Sequence, residues 1–350
     1  METVNTRSFA RAGFLGNPSD GYFGKTISFA FNEFWVDLRL TESSRLRFVP
    51  GEVDDATFES PEQLVRDLRL YGYYGGIRIL KAITKRFYEY CVQHGIRLPS
   101  RNFTAEYKIN IPRLVGLSGS SAICSAMLKA LMRFYEVSIP LEDTPTICLE
   151  AEREELGIAC GLQDRVIQMY GGVVFMDFER ELVESTGHGR YVRIDPAKLP
   201  NVYVAYDPNR AEESGKAHRK VKNRFQQNDA SVVSAMKEFA AIAQSGYDAL
   251  EAGRLDELPR LVNANFDLRD RIFNVAAENR RMVMTARSSG ASAKFAGSGG
   301  AIVGTYEDDA QFAALERALA GIGCRTIRPV IATVADETAN LSAGTGWRNS

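Results

Sequence analysis

The chain has 350 residues, 45% of them hydrophobic and 25% charged, a length that favours two packed domains over one small core. Its 43 Lys and Arg against 44 Asp and Glu leave a formal net charge of -1, which argues against a protein built to coat nucleic acid or an anionic membrane. Aromatic residues at 10% and the lack of biased tracts exclude wholesale disorder. No apolar run reaches the roughly 18–20 residues that cross a bilayer, and the opening METVNTRSFARAGF has no signal-peptide pattern. Five scattered cysteines, never in a CxxC pair, and three distant histidines speak against a structural zinc site and for reduced thiols in a cytoplasmic enzyme.

In chain order, residues 7–15 read as a strand, and 27–40 (ISFAFNEFWVDLRL) as two short runs broken at Asn32-Glu33, as in a hairpin. Helical spacing governs 62–94, with Leu64, Leu68, Ile79, Ile83 and Phe87 as core candidates and Gly75-Gly76 as an interruption. Residues 102–109 alternate as a strand. A helix capped by Ser120 or Ser121 then runs to about Tyr135, burying Ile123, Met127, Leu131 and Phe134. A helix over 142–156, a short helix into Tyr170-Gly171-Gly172 and a strand at 173–178 follow. The Gly- and Pro-containing stretch 185–200 marks a domain boundary. Beyond it come a strand at 201–206, helices over 231–252 and 255–288, a strand at 300–306, a helix at 308–321 and a strand at 325–331. The polar tail after Ala335 reads as loose. This defines domains 1–195 and 196–335 and a flexible tail 336–350.

Four segments can carry chemistry. In Pro112-Arg-Leu-Val-Gly116-Leu117-Ser118-Gly119-Ser120-Ser121-Ala122, a strand gives way to small residues and then a helix. That arrangement can bring backbone N–H groups and the helix dipole to an anion, with hydroxyls for phosphate or Mg2+. A plain serine-rich helix cap fits the loop by itself equally well, and the pattern is neither GxxxxGK[ST] nor GxGxxG. The run Lys294-Phe295-Ala296-Gly297-Ser298-Gly299-Gly300-Ala301 has more glycines than a helix-to-strand connection needs, and favours a ligand loop. Glu152, followed twelve residues on by Asp164, can divide metal binding from the orientation of a hydroxyl, although a solvated helix face explains such glutamates too. Arg11 to Asp20 (RAGFLGNPSD) is a turn by composition, with a cation and an acid at its ends.

Taken together and in this order, these segments resemble the GHMP kinase superfamily. ARAGFLGNPSDGYFG resembles its sugar-kinase opening, GLSGSSA its GLGSSA phosphate loop with one residue more, and KFAGSGGA its third, Gly-rich motif. The Glu152–Asp164 pair is similar to the Mg2+-binding Glu and catalytic Asp of galactokinases. Across GFLGNPSDGYFGKTISF, GYYGGIRIL, NIPRLVGLSGSSAI, ELGIACGLQDRV, ESGKAH and KFAGSGGA the closer resemblance is to plant-type glucuronokinases, which phosphorylate D-glucuronate at C1.

The resemblance implies a two-domain α+β fold, with a ribosomal S5 domain 2-like N-terminal half and a ferredoxin-like C-terminal half. It implies direct transfer of phosphate from ATP with Mg2+. Asp164 would be base or orienter, with Arg11 beside it, and Ser121 and Glu152 would hold the metal. Pro112, Gly116, Leu117, Ser118, Gly119, Ser120, Ser121 and Ala122 would form the nucleotide site, and Asp20, Gly297, Ser298 and Gly299 the sugar site. A uronate carboxylate needs a cation, for which Lys216, Arg219, Lys25 and Arg165 are candidates; His218 has no role, and Trp35 is core or a wall of the nucleotide site. Partners are a small sugar and ATP, with no nucleic acid or membrane, in a monomer or weak homodimer. The alternatives are a kinase for galacturonate, galactose or arabinose, and a non-catalytic binder of nucleotide or sugar.

Overall fold

A computed structural model describes residues 2–51, 54, 60, 75–209, 215–273 and 275–337, with 215–219 as backbone alone. Strand β1 (Thr3–Leu15) pairs antiparallel with β2 (Lys25–Ser43) along nearly its whole length. The expected hairpin within 27–40 is not formed. The register steps from Ala10↔Phe31 to Phe9↔Trp35, so Asn32, Glu33 and Phe34 are taken up in a bulge and the strand continues. Polar residues there mimic a turn in sequence, but both flanks stay paired.

The other edge of β2 is shared. Lys25–Phe29 pair with β5 (Val173–Asp177), and Val36–Ser43 pair with β4 (Asn102–Ile109). The short β3 (Arg47–Phe48) lies parallel to β4, and β6 (Arg190–Ile194) extends β5, giving a six-stranded sheet. The stretch expected as a linker therefore contains a strand of the first sheet.

Helix α1 (Gly76–Gln93) starts after an extended Gly75 and buries Ile79, Ile83 and Phe87; the positions Leu64 and Leu68 lie outside the described residues. Helix α2 (Gly119–Phe134) buries Ile123, Met127, Leu131 and Phe134 and packs on β1 and β2. The helix expected over 142–156 is α3 (Thr144–Glu150) followed by a widened π turn, Ala151–Glu155. Helices α4 (Gln163–Tyr170) and α5 (Arg180–Thr186) flank β5.

The second sheet has the order β10-β7-β9-β8, built from β7 (Val202–Tyr206), β8 (Lys294–Phe295), β9 (Ala301–Thr305) and β10 (Arg325–Ile327). Numbered within that half the order is 4-1-3-2, all antiparallel, which is the ferredoxin-like arrangement. Its helices are α6 (Gly215–Gln226), α7 (Ala230–Ala252), α8 (Leu258–Ile272), α9 (Ala277–Ser288) and α10 (Asp309–Ala320). Helix α7 also packs on β2, so the inner strands of the first sheet are covered on both faces. This explains why Ile27, Phe29 and Phe31 are buried along with Thr26, Ser28 and Ala30 between them.

After β10 the chain returns to the first sheet. Asn32 N–H donates to Val330 O (2.9 Å), Ala332 N–H to Ala30 O (2.9 Å) and Gly172 N–H to Ala332 O (2.7 Å). Glu337 is buried and ion-paired with Lys129 of α2. The segment expected to loosen from residue 336 is therefore docked through Glu337, because a buried lysine recruits its carboxylate; 338–350 lie outside the described residues. No helix among the described residues is long and apolar enough to cross a membrane.

Candidate active site

The cavity lies between the two sheets, about 300 Å³ in volume, and draws its walls from both. Arg11 reaches it from the middle of β1. A buried guanidinium needs acceptors on every side, and Arg11 finds them. Nε and Nη2 donate to Asp164 Oδ1 (2.7 Å) and Oδ2 (2.9 Å), and Nη1 donates to Gly116 O (2.6 Å).

Asp164 is presented by the first turn of α4. Besides Arg11 it accepts a hydrogen bond from Ser118 Oγ at 2.6 Å, and Arg165 stands 3.8 Å away. Burial alone would push its carboxyl up, but the Arg11 guanidinium, Arg165 and the Ser118 hydroxyl together hold it well below the usual carboxylate range. These contacts favour the ionised carboxylate and fix it as an acceptor.

The phosphate-type loop passes through left-handed backbone three times, at Leu114 (φ 55°), Gly116 (φ 77°) and Ser118 (φ 70°), before α2 begins. Contrary to expectation, neither Ser120 nor Ser121 is the N-cap. Ser118 holds that position, yet its hydroxyl is on Asp164 and does not cap the helix. The first turn of α2 therefore lines the cavity without a capping side chain, an arrangement suited to an anion.

Glu152 sits in the π turn, 1% exposed. Its Oε2 accepts from Arg165 Nε (2.8 Å) and Nη2, while Oε1 is buried without a hydrogen-bond partner. Burial pushes its pKa up against the pull of Arg165. Ser121 lines the same cavity. An orphaned, buried carboxylate oxygen beside a hydroxyl is a donor set that fits a hard divalent cation such as Mg2+.

Asp20 lies on a short helical turn, Ser19–Tyr22, and accepts from the Gln163 backbone N–H (3.2 Å). A Cβ on Gly161 would overlap its carboxylate, so that glycine admits the approach. Burial, and then the charge of Asp164, raise the Asp20 pKa to about 6. Tyr22 stacks edge-on against Phe225 of α6 (4.9 Å), which places the exposed Lys222 of that helix on the cavity rim.

The Gly-rich loop is packed directly against the phosphate-type loop and Arg11. Gly297 and Ser298 line the cavity but Gly299 does not. A Cβ on Gly116 would lie 2.5 Å from Gly299 O, and one on Gly297 would overlap Gly116 O and crowd Arg11. The loop is glycine-rich so that two backbones and a guanidinium can be stacked together. Arg269 of α8 holds it from behind, donating to Gly297 O and Ser298 O, each at 3.0 Å.

Arg11, Asp20, Pro112, Gly116, Leu117, Ser118, Gly119, Ser120, Ser121, Glu152, Asp164, Gly297 and Ser298 thus share one cavity, as their sequence positions led us to expect. Ala122 does not line it: its N–H closes the first helical bond, on Ser118 O (3.1 Å). Lys25 is paired with Asp177 (3.1 Å) and Gln244 (2.8 Å) away from the cavity. Arg165 also lines the cavity, with Nε and Nη2 on Glu152 and Nη1 on Gly161 O. Trp35 is no wall of the cavity and instead lies under the Arg7 guanidinium (4.4 Å). The side chains of Lys216 and Arg219, with His218, lie outside the described residues. Sequence reading missed Asn17, Gln163, Lys222, Arg269 and Lys294. Asn17, Gln163 and Lys294 each stood inside a stretch that had been singled out, beside the acid of the turn, beside Asp164 and at the head of the Gly-rich run, but Lys222 and Arg269 carried no local signal.

With this geometry in view, comparison with known proteins is decisive. Residues 78–172 match the GHMP kinases N terminal domain. The chain is 46% identical over 306 residues to Glucuronokinase 1 of Arabidopsis thaliana, covering 86% of this chain and 84% of that one. The chain belongs to the GHMP kinase family. Probable glucuronokinase 2 of the same plant is 48% identical, covering 85% and 82% of the two chains. Among solved structures, Lactococcus lactis galactokinase in complex with galactose superposes with a TM-score of 0.69 at 16% identity, covering 95% and 94%. That likeness concerns the fold, the two-domain α+β architecture of GHMP kinases. As a GHMP kinase the protein is a phosphotransferase with an alcohol acceptor, and ATP is its co-substrate.

Proposed function

We propose that this GHMP kinase is a cytoplasmic, Mg2+-dependent sugar 1-kinase, a monomer or weak homodimer, that converts D-glucuronate to D-glucuronate 1-phosphate. The two Arabidopsis glucuronokinases support the substrate. The observation that carries the chemistry is Asp164, clamped by Arg11 and Ser118 and set beside the open first turn of α2.

In this reading the lobe of residues 1–195 carries the phosphate loop and the carboxylates, and the lobe of 196–335 brings the Gly-rich loop against them. Backbone groups of 116–121 receive the terminal phosphates. The C1 hydroxyl oxygen forms its bond to the γ-phosphorus as the bond to the ADP oxygen breaks, and its proton passes to Asp164. Phosphoryl transfer runs through a loose transition state, in which the nucleophile needs alignment more than early deprotonation. A carboxylate with a strongly lowered pKa suits that role, because it orients the hydroxyl as an acceptor first and takes the proton late. Arg11 fixes its direction and offsets the charge gathered at the site. Glu152 Oε1 and Ser121 Oγ would hold Mg2+, which supplies charge neutralisation at the phosphate oxygens. Asp20 accepts from a sugar hydroxyl.

The test is ADP release with Mg2+-ATP across D-glucuronate, D-galacturonate, galactose, arabinose, mevalonate and homoserine. A clear preference for D-glucuronate is expected. Preference for a neutral sugar, or ATP binding without turnover on any of these, would overturn the reading.

A further inference from the structure

Lys294, at the start of β8, is 1% exposed. Its ammonium donates to Gly13 O (2.5 Å), Phe295 O (2.8 Å) and Asn17 Oδ1. All three acceptors are neutral. A buried ammonium ordinarily meets an anion, because leaving water without one is costly. Burial pushes the Lys294 pKa down, as do the neighbouring charges of Arg269 and Arg11, but three oxygen acceptors around Nζ need three N–H donors, which only the ammonium form has. Arg11 is answered by Asp164, whereas none of the three oxygens around Lys294 carries a charge.

Asn17 stands between this charge and the cavity, which it lines. An ammonium can only donate, so the atom turned to Lys294 is Oδ1 and the amide nitrogen turns the other way. Among the described residues no acceptor meets Asn17 Nδ2, and it is not sealed in the protein interior. The backbone of the turn is pinned as well: Asn265 Nδ2 donates to Asn17 O (3.1 Å), and Asn265 Oδ1 accepts from Gly16 N–H (2.6 Å). The result is a fixed N–H donor with an uncompensated positive charge behind it, on the same short turn as Asp20.

We propose that Asn17, held and polarised by Lys294, is the residue that recognises the carboxylate of the sugar acid: its Nδ2 donates to a carboxylate oxygen, and the Lys294 ammonium supplies the charge that the substrate balances. This rests on the uronate reading above and names the group that makes it selective. It also revises the sequence expectation, which sought the cation among residues able to touch the carboxylate directly. Lys222, exposed at the rim, draws anions inward without orienting them. An anion drawn to this charge has two sources, the sugar carboxylate and the terminal phosphate of ATP, and separate KM values distinguish them.

Asn17→Asp keeps the size of the side chain and the acceptor for Lys294, but replaces the donor with an anionic oxygen and cancels the charge. The expected result is a KM for D-glucuronate raised about tenfold or more, a KM for ATP within twofold of the parent, and a loss of preference for D-glucuronate over D-glucose. Asn17→Ala, which removes the donor without adding charge, should raise the same KM severalfold. Lys222→Met should change it only about twofold. A KM for D-glucuronate unchanged in both folded Asn17 variants, in a parent enzyme that uses D-glucuronate, would overturn the subsite alone. Equal rises for sugar and ATP would reduce Asn17 to a structural part and overturn it too. A parent enzyme inert on uronates but active on a neutral sugar would overturn the uronate reading and the subsite with it.

Discussion

Asp164 meets three donors, two from Arg11 and one from Ser118, and each gives a separate handle on the chemistry. Asp164→Asn keeps the shape and loses the charge; kcat should fall by roughly 10²–10⁴ while ATP affinity, measured by calorimetry, stays near that of the parent. Ser118 is the extra residue of the loop, and its hydroxyl bonds a charged group, worth about 1.5–3 kcal/mol. Ser118→Ala should therefore lower kcat by about tenfold or more with little change in KM for ATP. An unchanged kcat would return Ser118 to the nucleotide side. Asp20 gives the pH dependence. Its pKa is raised to about 6 in the folded protein, against about 3.9 in an unfolded chain, so the folded state binds the extra proton between these values and stability falls as pH rises through them. Asp20→Asn should raise Tm at pH 7.5 and lose that advantage by pH 4, while kcat/KM for the sugar falls. In the parent enzyme kcat/KM for the sugar should show an acid limb near pH 6. A Tm difference independent of pH would show that the Asp20 carboxyl is not strained.

At the scale of elements, the site is made by two loops that could not approach each other with side chains present. The Gly116 and Gly299 backbones, and those of Gly297 and Gly116, are in contact distance of any added Cβ, and Arg11 is threaded beside them. Gly297→Ala should displace the Arg11 guanidinium from Asp164, so thermal scans and steady-state kinetics should show a lower Tm and a kcat down by at least about tenfold. Retention of both would mean that the loops separate freely. The π turn at 151–155 has a similar positional role: it places Glu152 beneath Arg165 while Glu155 on the same turn reaches Lys85 (2.7 Å) and Arg86 (2.8 Å) of α1.

At the scale of the molecule, the two sheets are tied by more than the cavity. The chain after β10 crosses back to β2 and ends its described course with Glu337 buried on Lys129, which also donates to Gln168 O (2.7 Å). Gln168 in turn donates to Ser118 O (2.9 Å), so the closing segment and the phosphate loop share one polar network. Glu337→Ala leaves Lys129 buried without its anion and should destabilise the protein by about 3–5 kcal/mol, read by urea unfolding. An unaltered midpoint would mean that Lys129 finds water instead.

The sequence by itself determined the order and type of most elements, because apolar periodicity follows directly from the geometry of strands and helices. It also determined the family, and it picked out Arg11, Ser118, Glu152 and Asp164, which share the cavity, since they stand in motifs whose spacing is local. It misread 27–40 because a bulge and a turn use the same polar residues, and the difference lies in whether a partner strand, here β1, keeps pairing on both sides. The tertiary structure alone decided what each polar atom meets. The Ser118 hydroxyl meets Asp164, Lys25 meets Asp177 and Arg165 meets Glu152, contacts that no motif spells out. Lys294 and Asn17 lie 277 positions apart, and no local pattern announces their contact. Burial and charge act through space, so the pairing of distant groups is set by packing, and with it the chemistry of the cavity.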